Sequence, residues 1–343
     1  MLARMMEDVF CRKEGALGRI TLNRPKALNA LTRDMCVEIK RALDAWADDA
    51  SIKAVAIDAV PGRAFCAGGD IRALYDDPKT YAPQFYAAEY QMNARIKHYP
   101  KPYVALIDGI CMGGGVGVSV HGSHRVVSEN VTFAMPETAI GFFPDVGGSY
   151  FLPRLPGELG LYLALTGARL KAADLIYAGV YTHFVSSAKM GAIAERLAAG
   201  DTPDKILAEL SEHPGDAPLA KHRAAIDRAF AGSSVEDILN ALEREGEWGA
   251  ETAKGLRTKS PIALKVTFRE MREGKQLDFD DCMRMEYRLA VRAALSHDFR
   301  EGVRAVVVDK DQSPNWYPPS LEQVSEVDIA AYFAPLGEKE LKF

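Results

Sequence analysis

Residues 101–120 read KPYVALIDGICMGGGVGVSV. The run PYVALI, residues 102–107, is short, apolar and bounded by turn formers, which predicts a strand. Asp108-Gly109 ends it. Gly113-Gly114-Gly115 then opens a helix that runs to about Val120. A strand that feeds a glycine-rich start into a helix is a building block of parallel α/β architecture, because parallel strands need a crossover between them.

The same rhythm continues on both sides. Residues 18–23 (GRITLN) form a short strand pattern, which Arg24-Pro25 ends because proline removes a ladder donor. Thr32 suits an N-cap, and Met35, Ile39, Leu43 and Trp46 fall at helical spacing behind it. Residues 54–60 (AVAIDAV) predict a second strand, residues 83–98 a helix, and residues 125–127 and 131–134 two further strands. From about Gly157 the pattern becomes helix after helix, over residues 159–165, 190–198, 218–230, 235–245, 262–273 and 280–295. The Pro-rich polar stretch after Asp309 reads as loop. The chain shows no internal repeat. The residues by themselves give an α/β half followed by an α half, divided at about 1–200 and 201–343 and packed as one unit.

Bulk properties narrow the function. The chain has 343 residues, 48% hydrophobic and 26% charged, with a formal net charge of -5. A mildly acidic protein has no sequence-wide attraction for nucleic acid or anionic membranes. No apolar run is long enough to span a bilayer. The five cysteines, Cys11, Cys36, Cys66, Cys111 and Cys282, are scattered and show no C-x-x-C spacing. That excludes a disulfide framework and a zinc-type cluster and fits a reducing compartment. The opening MLARMMEDVF lacks a secretory apolar core and reaches an acidic pair early. The location expected from it is cytoplasmic.

Three segments can carry chemistry. Residues 63–72 (RAFCAGGDIR) place Gly68-Gly69-Asp70 at a strand-to-helix turn, where backbone N–H groups are free to bind an anion or oxyanion. The plainer alternative is a tight turn with Asp70 as an N-cap. Residues 108–118 set Gly113, Gly114 and Gly115 at a second such turn, where glycine permits close ligand approach or close helix–strand packing. Neither a dinucleotide fingerprint nor a P-loop can be drawn here. Residues 133–154 (FAMPETAIGFFPDVGGSYFLPR) hold Glu137 and Asp145 among apolar residues. Such carboxylates are exposed, paired or functional; if buried, they acquire pKa values suited to acid–base work. The alternative makes each a helix cap. Taken together, two glycine turns and two carboxylates supply an oxyanion hole and proton transfer for chemistry on an activated acyl group. His98, His121, His124 and His183 lack a metal-ligand pattern and read as structural or surface residues, with His121 and His124 a solvent-side pair. No metal is expected. Phe142, Phe143, Tyr150 and Phe151 read as core or pocket wall.

These segments resemble the enoyl-CoA hydratase/isomerase, or crotonase, superfamily. The resemblance is carried by ITLNRPKALNAL at 20–31, AFCAGGD at 64–70, the 101–120 stretch, PETAIGFFPDVGG at 136–148, and SHDFREGVRAVVVDKDQSPNW at 296–316. HGSHRV at 121–126 and the DKDQSP tail are most similar to the 3-hydroxyisobutyryl-CoA hydrolase branch. The resemblance implies a spiral of ββα units with a C-terminal helical region. It also implies hydrolysis of a short β-hydroxyacyl-CoA in valine breakdown, with coenzyme A as part of the substrate and no separate cofactor. The thioester oxygen would lie between the N–H groups of Gly69 and Gly114. Glu137 and Asp145 would be the catalytic pair, with Glu137 attacking directly or activating water, and Glu89 would hold substrate. Arg24, Lys26, Ala27, Leu28, Ala64, Ala67, Gly68 and Asp70 would bind CoA. Hydratases of the superfamily carry a second glutamate where this chain has Gly117, which argues against simple hydration. An isomerase or hydratase, or a non-catalytic acyl-CoA-binding protein, are the competing readings. The assembly implied is a trimer, a hexamer or a monomer.

Overall fold

The computed structural model describes residues 8–343. Among the described residues, nine strands form two sheets. The larger runs β1 (Val9–Glu14), β2 (Leu17–Leu22), β3 (Ala54–Ala59), β5 (Tyr103–Ile107), β7 (His124–Val127) and β9 (His183–Phe184). Its first pair is antiparallel and the others are parallel. The smaller sheet is β4 (Ala64–Ala67), β6 (Ile110–Met112) and β8 (Thr132–Ala134), all parallel. The chain therefore repeats one circuit: a strand in the large sheet, a strand in the small sheet, then a helix. The helix Ile71–Asp76 follows β3 and β4, and the helix Gly114–Val120 follows β5 and β6.

Side-chain alternation fixes which face of the large sheet meets which layer. Val55, Ile57, Tyr103, Ala105 and Ile107 point into the main core, which receives residues from Val9 to Leu341 and so runs through both halves of the chain. Ala54, Ala56, Val104 and Leu106 point to the opposite face, where the helices Ser187–Ala198 and Pro203–Leu210 cover them. β5 is buried at every position because it is covered on both sides. Thr32 caps the helix Arg33–Ala47 as expected, its hydroxyl accepting from the Met35 N–H at 3.2 Å.

The structure departs from the sequence expectations in definable ways. β1, β4, β6 and β9 were not anticipated; β4 and β6 lie within the segments 63–72 and 108–118 that read as glycine turns. The stretch 218–230 starts as a 3-10 turn, Pro218–His222, before the helix Arg223–Ala229. The tail is irregular after Asp309 but becomes helical at Glu326–Phe333, where Ser325 and Asp328 cap each other's backbone. His121 is not on the solvent side: it is 8% exposed, and its ring lies edge-on to Phe279 with centroids 4.8 Å apart.

Gly115 explains part of the glycine run. A Cβ there would lie 2.2 Å from the Cys66 carbonyl oxygen of β4, so the helix can lie on the small sheet only without a side chain. Gly115→Ala is expected to destabilise the protein by about 3 kcal/mol. Gly191, an exposed helical position with nothing within 4 Å of its Cβ site, provides the contrast, since Gly191→Ala should stabilise by about 0.5 to 1 kcal/mol. Urea midpoints of the two variants check both signs.

Candidate active site

β4 and β6 are neighbours, so the glycine turns at their C-terminal ends emerge side by side. Gly68 and Gly113 both adopt positive φ, +111° and +47°, which only glycine takes readily. The turns touch: a Cβ on Gly113 would lie 3.3 Å from Gly68 Cα, and one on Gly114 would lie 3.2 Å from the Gly68 carbonyl carbon. Leu31 fixes the first turn by donating to the Gly68 carbonyl and accepting from the Asp70 N–H, both at 2.8 Å. That bridge uses the groups on either side of the Gly69 N–H and leaves it out. Among the described residues, the N–H groups of Gly69 and Gly114 have no protein acceptor. Asp70 also caps its helix, accepting from the Ala73 N–H at 3.2 Å.

Three carboxyl groups close around these donors. Glu137 begins the 3-10 turn after β8 and is 7% exposed. Its Oε1 is 3.3 Å from the Cβ site of Gly113, and its buried Oε2 has no partner. Glu89, from the helix Tyr81–Lys97, brings Oε1 to 2.6 Å from the Cβ site of Gly114. Asp145 lies in the loop before the short helix Gly148–Phe151, and its Oδ2 accepts from the Tyr90 hydroxyl at 2.8 Å. Neither Glu137 nor Asp145 is a helix cap: no side-chain cap bond is made at either turn.

Burial dominates the electrostatics. It raises Glu137 well above the usual carboxylate range, and the charge of Asp145 adds to this. Glu89 is raised first by burial, then by Asp145, Glu286 and Glu137. Burial also lifts Asp145, to about 7, although the Tyr90 hydroxyl opposes the shift. Like charges this close in a low dielectric cannot all exist together, so the cluster holds protons at neutral pH.

Glu89, Glu137, Asp145, Gly69 and Gly114 line one cavity of about 440 Å³, together with Ala67 and Gly68. Phe85, Phe142 and Phe299 form apolar wall. Arg24, Lys26, Ala27, Leu28, Ala64 and Asp70 lie outside this cavity. Arg24 is turned to Asp70 at 3.0 Å and to the Ala30 carbonyl at 2.6 Å. Lys26 and Ala27 are exposed on the turn Pro25–Ala27, and Ala64 is 3% exposed. Two basic residues that the sequence did not single out, Arg169 and Lys259, do line it. Lys259 is half-buried, its pKa is lowered by burial, and its ammonium has no acceptor among the described residues. Tyr90 was missed too; a tyrosine in an apolar helix face gives no signal until its hydroxyl partner is known. A cavity of about 680 Å³ opens between helices elsewhere, but its basic side chains are paired, Lys265 with Glu236, Arg269 with Glu273 and Arg272 with Glu158.

The profile of the enoyl-CoA hydratase/isomerase family matches residues 17–333, and the chain belongs to that family. Within it, the chain is 49% identical to the "3-hydroxyisobutyryl-CoA hydrolase, mitochondrial" of Xenopus tropicalis, over 98% of this chain and 91% of that protein. The human protein of the same name is 46% identical over the same shares. A solved structure titled carnitinyl-CoA dehydratase, from Mycobacterium thermoresistibile, superposes with a TM-score of 0.94 at 44% identity, covering 98% and 99% of the two chains. One titled enoyl-CoA hydratase, from Rhodobacter sphaeroides, gives 0.91 at 41%, covering 98% and 100%. The hydrolase names all include "mitochondrial", which overturns the expected cytoplasmic location. That expectation rested on the composition of the N-terminal stretch, of which residues 1–7 lie outside those described. Among the described residues, no helix is long and apolar enough to cross a membrane.

The raised value of Asp145 has a thermodynamic consequence. Its carboxyl holds a proton up to about 7 when folded, against 3.8 ordinarily. The folded state therefore binds the proton more tightly, and stability falls as pH rises through that window. Asp145→Asn removes the cost. Its melting midpoint relative to wild type should rise between about pH 4.5 and about pH 7.5. A difference that stays flat across the range would mean that folding leaves the Asp145 titration unshifted.

Proposed function

We propose that this protein hydrolyses the thioester of 3-hydroxyisobutyryl-CoA, giving the free hydroxy acid and coenzyme A, a step of valine breakdown. The observation that carries the reading is the placement of Glu89, Glu137 and Asp145 around two unoccupied backbone donors in one cavity. The names of the relatives at 43% to 49% identity support the substrate. The thioester oxygen sits between the Gly69 and Gly114 N–H groups, which stabilise the charge that develops on it. Asp145, the carboxyl served by Tyr90, is the first of the cluster to ionise. It takes the proton of Glu137. Glu137, now charged, attacks the carbonyl or deprotonates a water that does. On either route, collapse of the tetrahedral intermediate expels the thiolate, which takes the proton from Asp145; on the direct route water then cleaves the acyl–Glu137 anhydride. Glu137 ends protonated and Asp145 charged, so the cycle closes. Glu89 holds the substrate hydroxyl. Lys259 and Arg169 face the phosphates of coenzyme A.

Hydration is the second reading, because the two solved structures carry dehydratase and hydratase titles. Gly117 argues against it. A Cβ there would lie 2.7 Å from Val146 Cβ and 2.9 Å from Asn93 Nδ2. No side chain fits at the position where hydratases of the superfamily keep their second glutamate.

Thiol release, followed with a disulfide dye, separates the readings. Wild type should release thiol from 3-hydroxyisobutyryl-CoA, and Glu137→Gln should slow release by about 100-fold or more. Loss of crotonyl-CoA absorbance without thiol release would instead establish a hydratase.

A further inference from the structure

We propose that Glu286 is a positioning residue that, with His121, clamps a strained turn and so aims the Asp145 carboxylate into the site. The inference rests on the hydrolase reading above and adds residues to it. Val146 follows Asp145 directly and has φ +53°, a left-handed state that a β-branched residue strongly disfavours. Gly147 follows at φ +87°. Two successive left-handed residues reverse the chain and place Asp145 against Tyr90. Such a conformation persists only when its surroundings hold it.

The holding contacts come from two separate elements. His121, at the C-terminal end of the helix Gly114–Val120, sets its ring Nε2 2.7 Å from the Val146 carbonyl oxygen. Glu286, from the helix Phe279–Ala293 and fully buried, takes the other side. Its Oε2 accepts from the Gly147 N–H at 2.8 Å, and its Oε1 accepts from the Ser149 N–H at 3.0 Å and the Ser149 hydroxyl at 2.5 Å. The two arms meet, because the His121 ring packs on Phe279, the first residue of the helix that carries Glu286. Gly147 must be glycine here for a second reason: a Cβ would lie 2.4 Å from the His121 ring. A buried carboxyl whose two oxygens take both N–H groups of one turn, next to a catalytic carboxylate, fixes backbone rather than substrate. Glu286 does not line the cavity.

The test is a double-mutant cycle on thiol release from 3-hydroxyisobutyryl-CoA, well below the melting midpoint of every variant. Glu286→Gln keeps the shape but turns an amide N–H₂ toward one of the donors. It should lower kcat by about tenfold with KM within about twofold. In the Asp145→Asn background the same change should cost less than about twofold, since the group it positions is gone. Equal losses in the two backgrounds would overturn the inference, as would an unchanged kcat. Ser149→Ala removes only the hydroxyl contact and should lower kcat by about threefold in the same pattern. It carries the test should Glu286→Gln not fold. Amide hydrogen exchange separates failure of the clamp from failure of the hydrolase reading, because it does not depend on turnover. The Gly147 and Ser149 amides should exchange about tenfold or more faster in Glu286→Gln. Unchanged exchange overturns the clamp whatever the activity. A wild type without thiol release, but with faster exchange in the variant, removes the hydrolase reading and leaves the clamp.

Discussion

The glycine turns after β4 and β6 are in contact, and the site is arranged around that contact. Two adjacent parallel strands end together, and each sheds a turn whose N–H groups the sheet does not use. Side chains on Gly69, Gly114 or Gly115 would collide with Phe85, Glu89 or the β4 backbone. The absence of side chains is thus a packing requirement first. The exposed donors follow from it. β8, paired to β6, then carries Glu137 to the same edge. The small sheet is a device for bringing three strand ends to one point, and the large sheet with its two helical layers keeps it rigid.

Electrostatics acts on this geometry in a definite order. Burial is the largest cause of every carboxyl shift in the cavity, and hydrogen bonding only modulates it. Asp145 shows the balance: the Tyr90 hydroxyl favours its charged form, yet burial still carries it to about 7. Glu137 and Glu89 are raised well above the usual range too, and among the described residues the buried Glu137 Oε2 and Glu89 Oε1 accept no hydrogen bond. Neighbouring groups thus tune three similar carboxyls differently. Under the proposed hydrolysis, an oxyanion among them would be stabilised by the Gly69 and Gly114 N–H groups, which are already in place and need no reorganisation.

β2, β3, β5 and the long helices were legible in sequence because their apolar pattern extends over enough residues to be unambiguous, as in 102–107 and the Thr32-capped helix. β4 and β6 were not, because they lie inside glycine-rich segments that read as turns. The glycine turns and Glu137 stood out by composition, but composition could not show that the two turns touch. Lys259, Tyr90 and Glu286 gave no signal at all. Each matters through a partner or cavity reached only by folding; Glu286 and Ser149, for example, are 137 residues apart in the chain. His121 was misread for the same reason: its surroundings come from Phe279 and Val146, both remote in sequence. Local readings left alternatives open at two aspartates: Asp70 is the helix cap that one reading made it, whereas Asp145 is not the cap that its plainer reading offered.

The turn at Asp145 also accounts for the glycine at position 117. Val146, forced into a left-handed conformation, directs its side chain against the helix Gly114–Val120 at Gly117. The Cβ site of Gly117 and the Cβ of Val146 are 2.7 Å apart, so the two positions compete for one volume. A chain that brings in a carboxylate from the 145–147 turn fills the space that a glutamate at 117 would need. In this chain, a side chain at 117 and the turn that carries Asp145 are therefore sterically exclusive. The acidic groups that join Glu137 in the cavity accordingly come from the helix Tyr81–Lys97 and from a loop held by Glu286, not from the helix Gly114–Val120. Under the proposed hydrolysis, the protein keeps two N–H groups that would serve an acyl oxyanion and lacks a carboxylate at 117.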